Sequence, residues 1–186
     1  MTIAAPPPGT ARPGNAADSV VDCVGHTPVV ALRILFPEPD VEVLAKLELM
    51  NPGGSMKDRS ARHIVESGLR DGTLNPGCTI VESSSGNFGV ALAMAARIHD
   101  LRFVCVVDAK TTRANRVLLH HLGAEVDLVD VTDDPDTATD DTGAGDPSTG
   151  GGHLGSRLRR VREILDERPD AVWINQCANA RNWQAF

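Results

Sequence analysis

The sequence predicts an α/β fold in αβα layers around a parallel sheet. Three observations carry that expectation: short apolar runs recur from residue 79 onward, stretches of helical periodicity separate them, and polar residues cluster just after them. Parallel strands need long crossovers, and the helical stretches supply them. At 186 residues, with 41% hydrophobic and 23% charged, the chain can form one sizeable core or part of a larger two-domain enzyme. A complete eightfold barrel needs more chain.

Residues 1–17 are rich in Ala, Pro and Gly and lack a basic stretch followed by an apolar one, so they do not form a secretory signal. Residues 1–23 are expected to be a disordered leader. Val29 to Leu32 and Val41 to Leu49 flank Phe36-Pro37-Glu38-Pro39 and predict paired strands. Asn51-Pro52-Gly53-Gly54 predicts a turn. Ser55, with Asp58 three residues on, predicts a capped helix toward Gly68 or Gly72 that carries Lys57 in its first turn.

Alternation follows: strand Thr79 to Glu82, helix Asn87 to Ile98, strand Phe103 to Val107, helix Thr112 to Leu122, strand Val126 to Val129. Residues 132–152, acidic and rich in Gly and Thr, read as a flexible loop. A basic amphipathic helix, Leu154 to Glu167, places Leu158, Val161, Ile164 and Leu165 on one face, and a last strand, Ala171 to Ile174, completes the pattern.

Composition narrows the partners. The chain has 18 Lys+Arg against 25 Asp+Glu, a net charge of -7, only 3% aromatic residues and no tyrosine. Nucleic acid and anionic membrane surfaces are therefore not expected partners. No apolar run approaches the roughly eighteen residues of a membrane span. Cys23, Cys78, Cys105 and Cys177 are too far apart for a C-x-x-C pair, so reduced thiols, a cytoplasmic location and no metal site are expected.

Three constellations bear chemistry. In Asn51 to Arg59, glycines allow close backbone approach, and a lysine held on a helix suits Schiff-base chemistry with a carbonyl cofactor. A plain turn and helix with an exposed lysine explains the same residues. Glu82-Ser83-Ser84-Ser85-Gly86-Asn87-Phe88-Gly89 sets hydroxyls and free N–H groups at a helix start, suited to a carboxylate or phosphate. N-capping is the simpler explanation there, although three serines exceed what one cap requires. Asn175-Gln176-Cys177-Ala178-Asn179 follows the last strand, where amides could hydrogen-bond a polar ligand.

In this order the motifs resemble the N-terminal part of the cysteine synthase family, the fold-type-II pyridoxal-phosphate enzymes with a tryptophan-synthase-β-like fold. Gly25-His26-Thr27-Pro28-Val29 resembles the family's opening motif, Asn51 to Arg59 its cofactor-lysine motif, and Ser84-Ser85-Gly86-Asn87 its substrate-carboxylate loop. The resemblance covers Val24 to Phe186, with residues 83–175 approximating the family's smaller mobile domain. It implies that Lys57 carries pyridoxal 5'-phosphate and acts as general base, and that Asn87 bonds the cofactor's 3-hydroxyl. It further implies that Ser84, Ser85 and Gly86 grip the substrate carboxylate, that Gln176 assists them, and that Phe88, standing where threonine is usual, also binds substrate.

Glu82 to Gly89 and Trp173 to Gln176 are most similar to the branch of N-(2-amino-2-carboxyethyl)-L-glutamate synthases, which supply 2,3-diaminopropionate for siderophores or antibiotics. The implied reaction is a β-replacement on O-phospho-L-serine by L-glutamate, with a homodimer for the full-length fold. Cys177 replaces an aromatic residue. The family's phosphate-binding loop falls after Phe186, so the fold is expected to be incomplete at the C-terminus. An O-acetylserine or O-phosphoserine sulfhydrylase, a non-catalytic binding module and a Ser84/Lys57 hydrolase are the alternatives.

Overall fold

The structure is a computed structural model that describes residue 14, residues 16–130 and residues 152–186. The expected loop at 132–152 lies outside the described residues, except that Gly152 opens a helix. Of the expected leader, residues 1–13 and 15 lie outside them too. Its last part is ordered: Val20–Cys23 forms a 3₁₀ turn under a Ser19–Asp22 capping box, and Val21 is buried. The ordered chain thus starts before Val24.

Strands β1 (Val29–Ala31) and β2 (Leu44–Lys46) pair antiparallel as a separate two-stranded sheet. Helix α1 (Lys57–Asp71) follows. The alternation then runs through β3 (Thr79–Ser83), α2 (Asn87–Ile98), β4 (Arg102–Asp108), α3 (Arg113–His121) and β5 (Glu125–Val129). Helix α4 (Gly152–Glu167), β6 (Ala171–Trp173) and the short α5 (Arg181–Gln184) complete it. Four strands form one parallel sheet in the order β5-β4-β3-β6.

Every residue of β3 is buried, which explains its near-continuous apolar run: a central parallel strand is covered on both faces. Side chains alternate between the two covers. Ile80, Phe103, Cys105 and Val107 join α1, α2 and α3 in one core. Val81, Val104 and Val106 face Val161 and Ile164 of α4 in the other. Arg160 of α4 reaches Asp127 of β5 at 3.1 Å and Arg168 reaches Glu125 at 2.9 Å, tying that layer to the sheet edge. Among the described residues, no helix is long and apolar enough to cross a membrane.

The Ser55–Asp58 capping box expected for α1 is not formed. The helix starts at Lys57, so Ser55 Oγ accepts from the Lys57 N–H at 3.2 Å, while the Asp58 carboxylate turns back to accept from the Gly53 N–H. A Cβ at Gly53 would stand 2.4 Å from Asp58 Oδ1, which is why glycine is needed there.

A polar knot fastens this start of α1 to the chain before it. Arg59 donates to both oxygens of Glu48 at 2.8 Å, Thr27 Oγ1 donates to Glu48 at 2.6 Å, and Asn51 Nδ2 donates to it at 2.9 Å. Arg59 holds the Glu48 carboxyl down from 4.5 to about 2, with Thr27 and Asn51 assisting against its burial. A carboxyl lowered on folding adds stability above its ordinary value that is lost as pH falls through the folded one. The thermal midpoint of the native chain should therefore contain a component that disappears between pH 4.5 and about 2. Calorimetry of Glu48→Gln should show that component gone and the fold weaker by about 2 kcal/mol at neutral pH; an unchanged acid limb would refute the assignment.

Candidate functional site

The sheet runs outward from β3 through β4 to β5 with α2 and α3 on one face, then returns through α4 on the other face to place β6 beside β3. Between β3 and β6 the direction of winding reverses, and the loops leaving the carboxyl ends of these two strands part to opposite sides. Such a reversal leaves a crevice where ligands bind in open α/β sheets. A cavity of about 720 Å³ opens there.

Four of the expected site residues meet at it: Ser84, Ser85 and Gly86 after β3, and Gln176 after β6. Ser84 Oγ accepts the Gly89 N–H of the first turn of α2 at 2.9 Å, although the N-cap residue itself is Gly86, and the serine's own proton remains free to donate. Asn115 of α3 donates to the Ser85 carbonyl at 2.9 Å and holds the loop in place. The Ser83 hydroxyl is buried without a partner at the same wall.

Three expected residues stand elsewhere. Phe88 does not line the cavity: it is 3% exposed and packs in the core between α1 and α2, because the second residue of α2 points under the helix. Its side chain therefore is not placed to bind substrate. Asn87 is exposed at the first position of α2, and Lys57 is half-buried at the first position of α1. Neither lines the cavity. The Lys57 amine forms no hydrogen bond or ion pair among the described residues.

The cavity also contains residues to which the sequence attached no role. Arg157 of α4 lines it, 13% exposed, and its Nε stands 3.3 Å from the buried Asp108 carboxylate at the end of β4. Asp108 in turn accepts the Lys110 N–H at 2.9 Å and the Thr111 N–H at 3.2 Å. The arginine is thus aimed by an anchored partner. Read as a basic amphipathic helix, α4 gave no sign that one of its cations turns inward.

Glu82 is the second such residue. It is 2% exposed, and its carboxylate accepts the Ser83 N–H at 2.8 Å and the Gln176 N–H at 3.0 Å. The Trp173 indole N–H, buried, faces the same group without meeting hydrogen-bond geometry. Burial pushes the Glu82 carboxyl up from 4.5 to about 7 against the pull of those N–H donors. Only its central strand position hides this charge, so local sequence could not show it.

A family model for pyridoxal-phosphate dependent enzymes matches residues 20–186, and the chain belongs to that family. Within it, the chain is 46% identical over 169 residues to an N-(2-amino-2-carboxyethyl)-L-glutamate synthase of Ralstonia nicotianae, which is 91% of this chain and 46% of that protein. A synthase of the same name from Cupriavidus metallidurans is 46% identical over 168 residues, covering 90% of this chain and 45% of its own. The chain spans about half the length of the curated relatives it matches.

Among solved structures, it superposes on an O-acetylserine dependent cystathionine beta-synthase from Helicobacter pylori with a TM-score of 0.74 and 28% identity, over 91% of this chain and 50% of that one. Cysteine synthase from Entamoeba histolytica gives 0.76 and 26%, over 100% and 49%. The cysteine synthase-like fold expected from the motifs is borne out.

A carboxyl raised on folding adds stability below its ordinary value that is lost as pH rises through the folded one. Glu82 should therefore weaken the native fold as pH climbs from 4.5 to about 7. The difference in thermal midpoint between native chain and Glu82→Gln should change across that window and be flat below it. A constant difference would contradict the buried charge.

Proposed function

We propose that this chain is the lysine-bearing, substrate-gripping portion of a pyridoxal-phosphate-dependent β-replacement enzyme. On this reading it joins O-phospho-L-serine to L-glutamate, giving N-(2-amino-2-carboxyethyl)-L-glutamate for 2,3-diaminopropionate and so for siderophore or antibiotic synthesis. The supporting observation is the cavity at the β3–β6 reversal, where Ser84, Ser85, Gly86 and Gln176 meet the anchored cation of Arg157. A set of neutral donors with the arginines Arg157 and Arg162 at its wall suits an amino acid bearing a carboxylate and a second anionic group.

Lys57 and Asn87 fit the carbonyl and the hydroxyl of the cofactor. A half-buried primary amine at Lys57, without a partner among the described residues, can bond a carbonyl, and the exposed amide of Asn87 at the start of α2 can donate to or accept from a hydroxyl. When bound, pyridoxal phosphate supplies the electron sink that lets a substituent at the Cβ of an amino acid leave and another arrive. Lys57 would hold it and would take the Cα proton of the substrate as general base.

The other residues bind and orient. Ser84 and Ser85 hydroxyls, with the free N–H groups of the first turn of α2, take the substrate carboxylate, where the helix dipole favours negative charge. The Gln176 amide closes that corner. Arg157 meets the phosphate that departs, and its charge lowers the cost of releasing a dianion. Small-molecule amino acids are the partners on this reading, in the cytoplasm and with a homodimer as the assembly of the full-length fold.

With pyridoxal phosphate supplied, the chain should show a visible absorbance that Lys57→Ala removes. Calorimetry should show O-phospho-L-serine binding, weakened about tenfold by Ser84→Ala and by Arg157→Gln. Phosphate release should require L-glutamate. Turnover with sulfide in its place, and not with glutamate, would make the protein an O-phosphoserine sulfhydrylase and overturn the acceptor.

A further inference from the structure

We propose that Glu82 is a positioning residue: its carboxylate fastens the Gln176 main chain to the end of β3 and so fixes the loop that closes the cavity. Two strands end here side by side. The β3–β6 pairing stops at Val81 and Trp173, and one further ladder bond joins the Ile174 N–H to the Val81 carbonyl at 3.1 Å. Beyond Ile174 the backbone has no strand neighbour to bond. Asn175 turns the chain with φ 49, a left-handed conformation that asparagine tolerates better than most residues.

That turn delivers the Gln176 N–H to Glu82 Oε2 at 3.0 Å. The carbonyl of Gln176 is held from the other side by Asn182 Nδ2 at 2.9 Å. Glu82 is the side chain on which the amide half of this clamp depends. A carboxylate suits the task because two N–H groups, of Ser83 and Gln176, converge on it, one to each oxygen.

Glutamine at this position has one acceptor oxygen, and its NH₂ would oppose an N–H. One of the two amides would be left without its acceptor. The titratable group that faces Glu82 is the Cys105 thiol, paired with it across β4, while Arg157 and Arg162 of α4 line the same cavity. On the β6 side it meets the Trp173 indole and the main chain of Asn175 and Gln176, none of them charged. What the clamp does for substrate rests on the role proposed above for Gln176; the clamp itself does not.

Amide hydrogen exchange by NMR separates the two. In Glu82→Gln, the Gln176 N–H should exchange about tenfold faster, while the Ile174 N–H, one bond short of the clamp, keeps its protection. Unchanged exchange at Gln176, or equal loss at Ile174, overturns the proposal, the second because it would mean that Glu82 supports only the sheet. In case this variant does not fold, the native chain supplies a second reading. The Glu82 carboxyl carbon and the Gln176 amide should titrate with one midpoint, and separate midpoints overturn the clamp. Failure of O-phospho-L-serine to bind the native chain would sink the substrate reading and leave both amide results standing.

Discussion

The reversal of winding between β3 and β6 is the constraint from which the rest follows. Crossovers between parallel strands take one hand, so a chain that moves first to one side of its starting strand and then to the other must use opposite faces. Helices α2 and α3 cover one face and α4 the other. The carboxyl ends of β3 and β6 are thereby adjacent, with no connection crossing between them. Serines from one loop, an amide from the other and an arginine from the far layer meet at that opening because the topology leaves them there.

A second fastening governs the amine-bearing segment. Lys57 is followed by Asp58, bonded back to Gly53, and by Arg59, bonded to Glu48 and Thr27. The two residues that follow the lysine are thus tied to the preceding turn and to the segments flanking the strand pair, which holds the start of α1, while the lysine amine has no partner among the described residues. A reactive side chain is best carried by backbone that cannot drift, and here adjacent residues supply the tethers.

Much of this was legible in the sequence because parallel strands buried on both faces announce themselves as apolar runs, as in Arg102–Asp108. Every strand and helix of the alternation lies within a few residues of its expected place. Ser84, Ser85 and Gln176 were legible for a related reason: loops after such strands are where ligands sit. Glu82 and Arg157 were not, since their burial depends on what crosses them from 94 and 49 residues away, Gln176 on the one and Asp108 on the other. Phe88 misled in the opposite sense. Its place in a motif suggested the cavity, whereas the rotation of α2 assigns it to the core. Asp58 shows how one residue of shift in a helix start redirects a cap into a turn.

Trp173 lines the cavity beside Glu82, and the only other tryptophan, Trp183, is 71% exposed. With no tyrosine in the chain, nearly all ultraviolet-excited emission comes from these two indoles. An aqueous quencher such as iodide reaches the exposed ring first and leaves the sheltered one glowing. The protein therefore contains its own optical gauge, in which the unquenched fraction of its fluorescence reports the state of the crevice without any label.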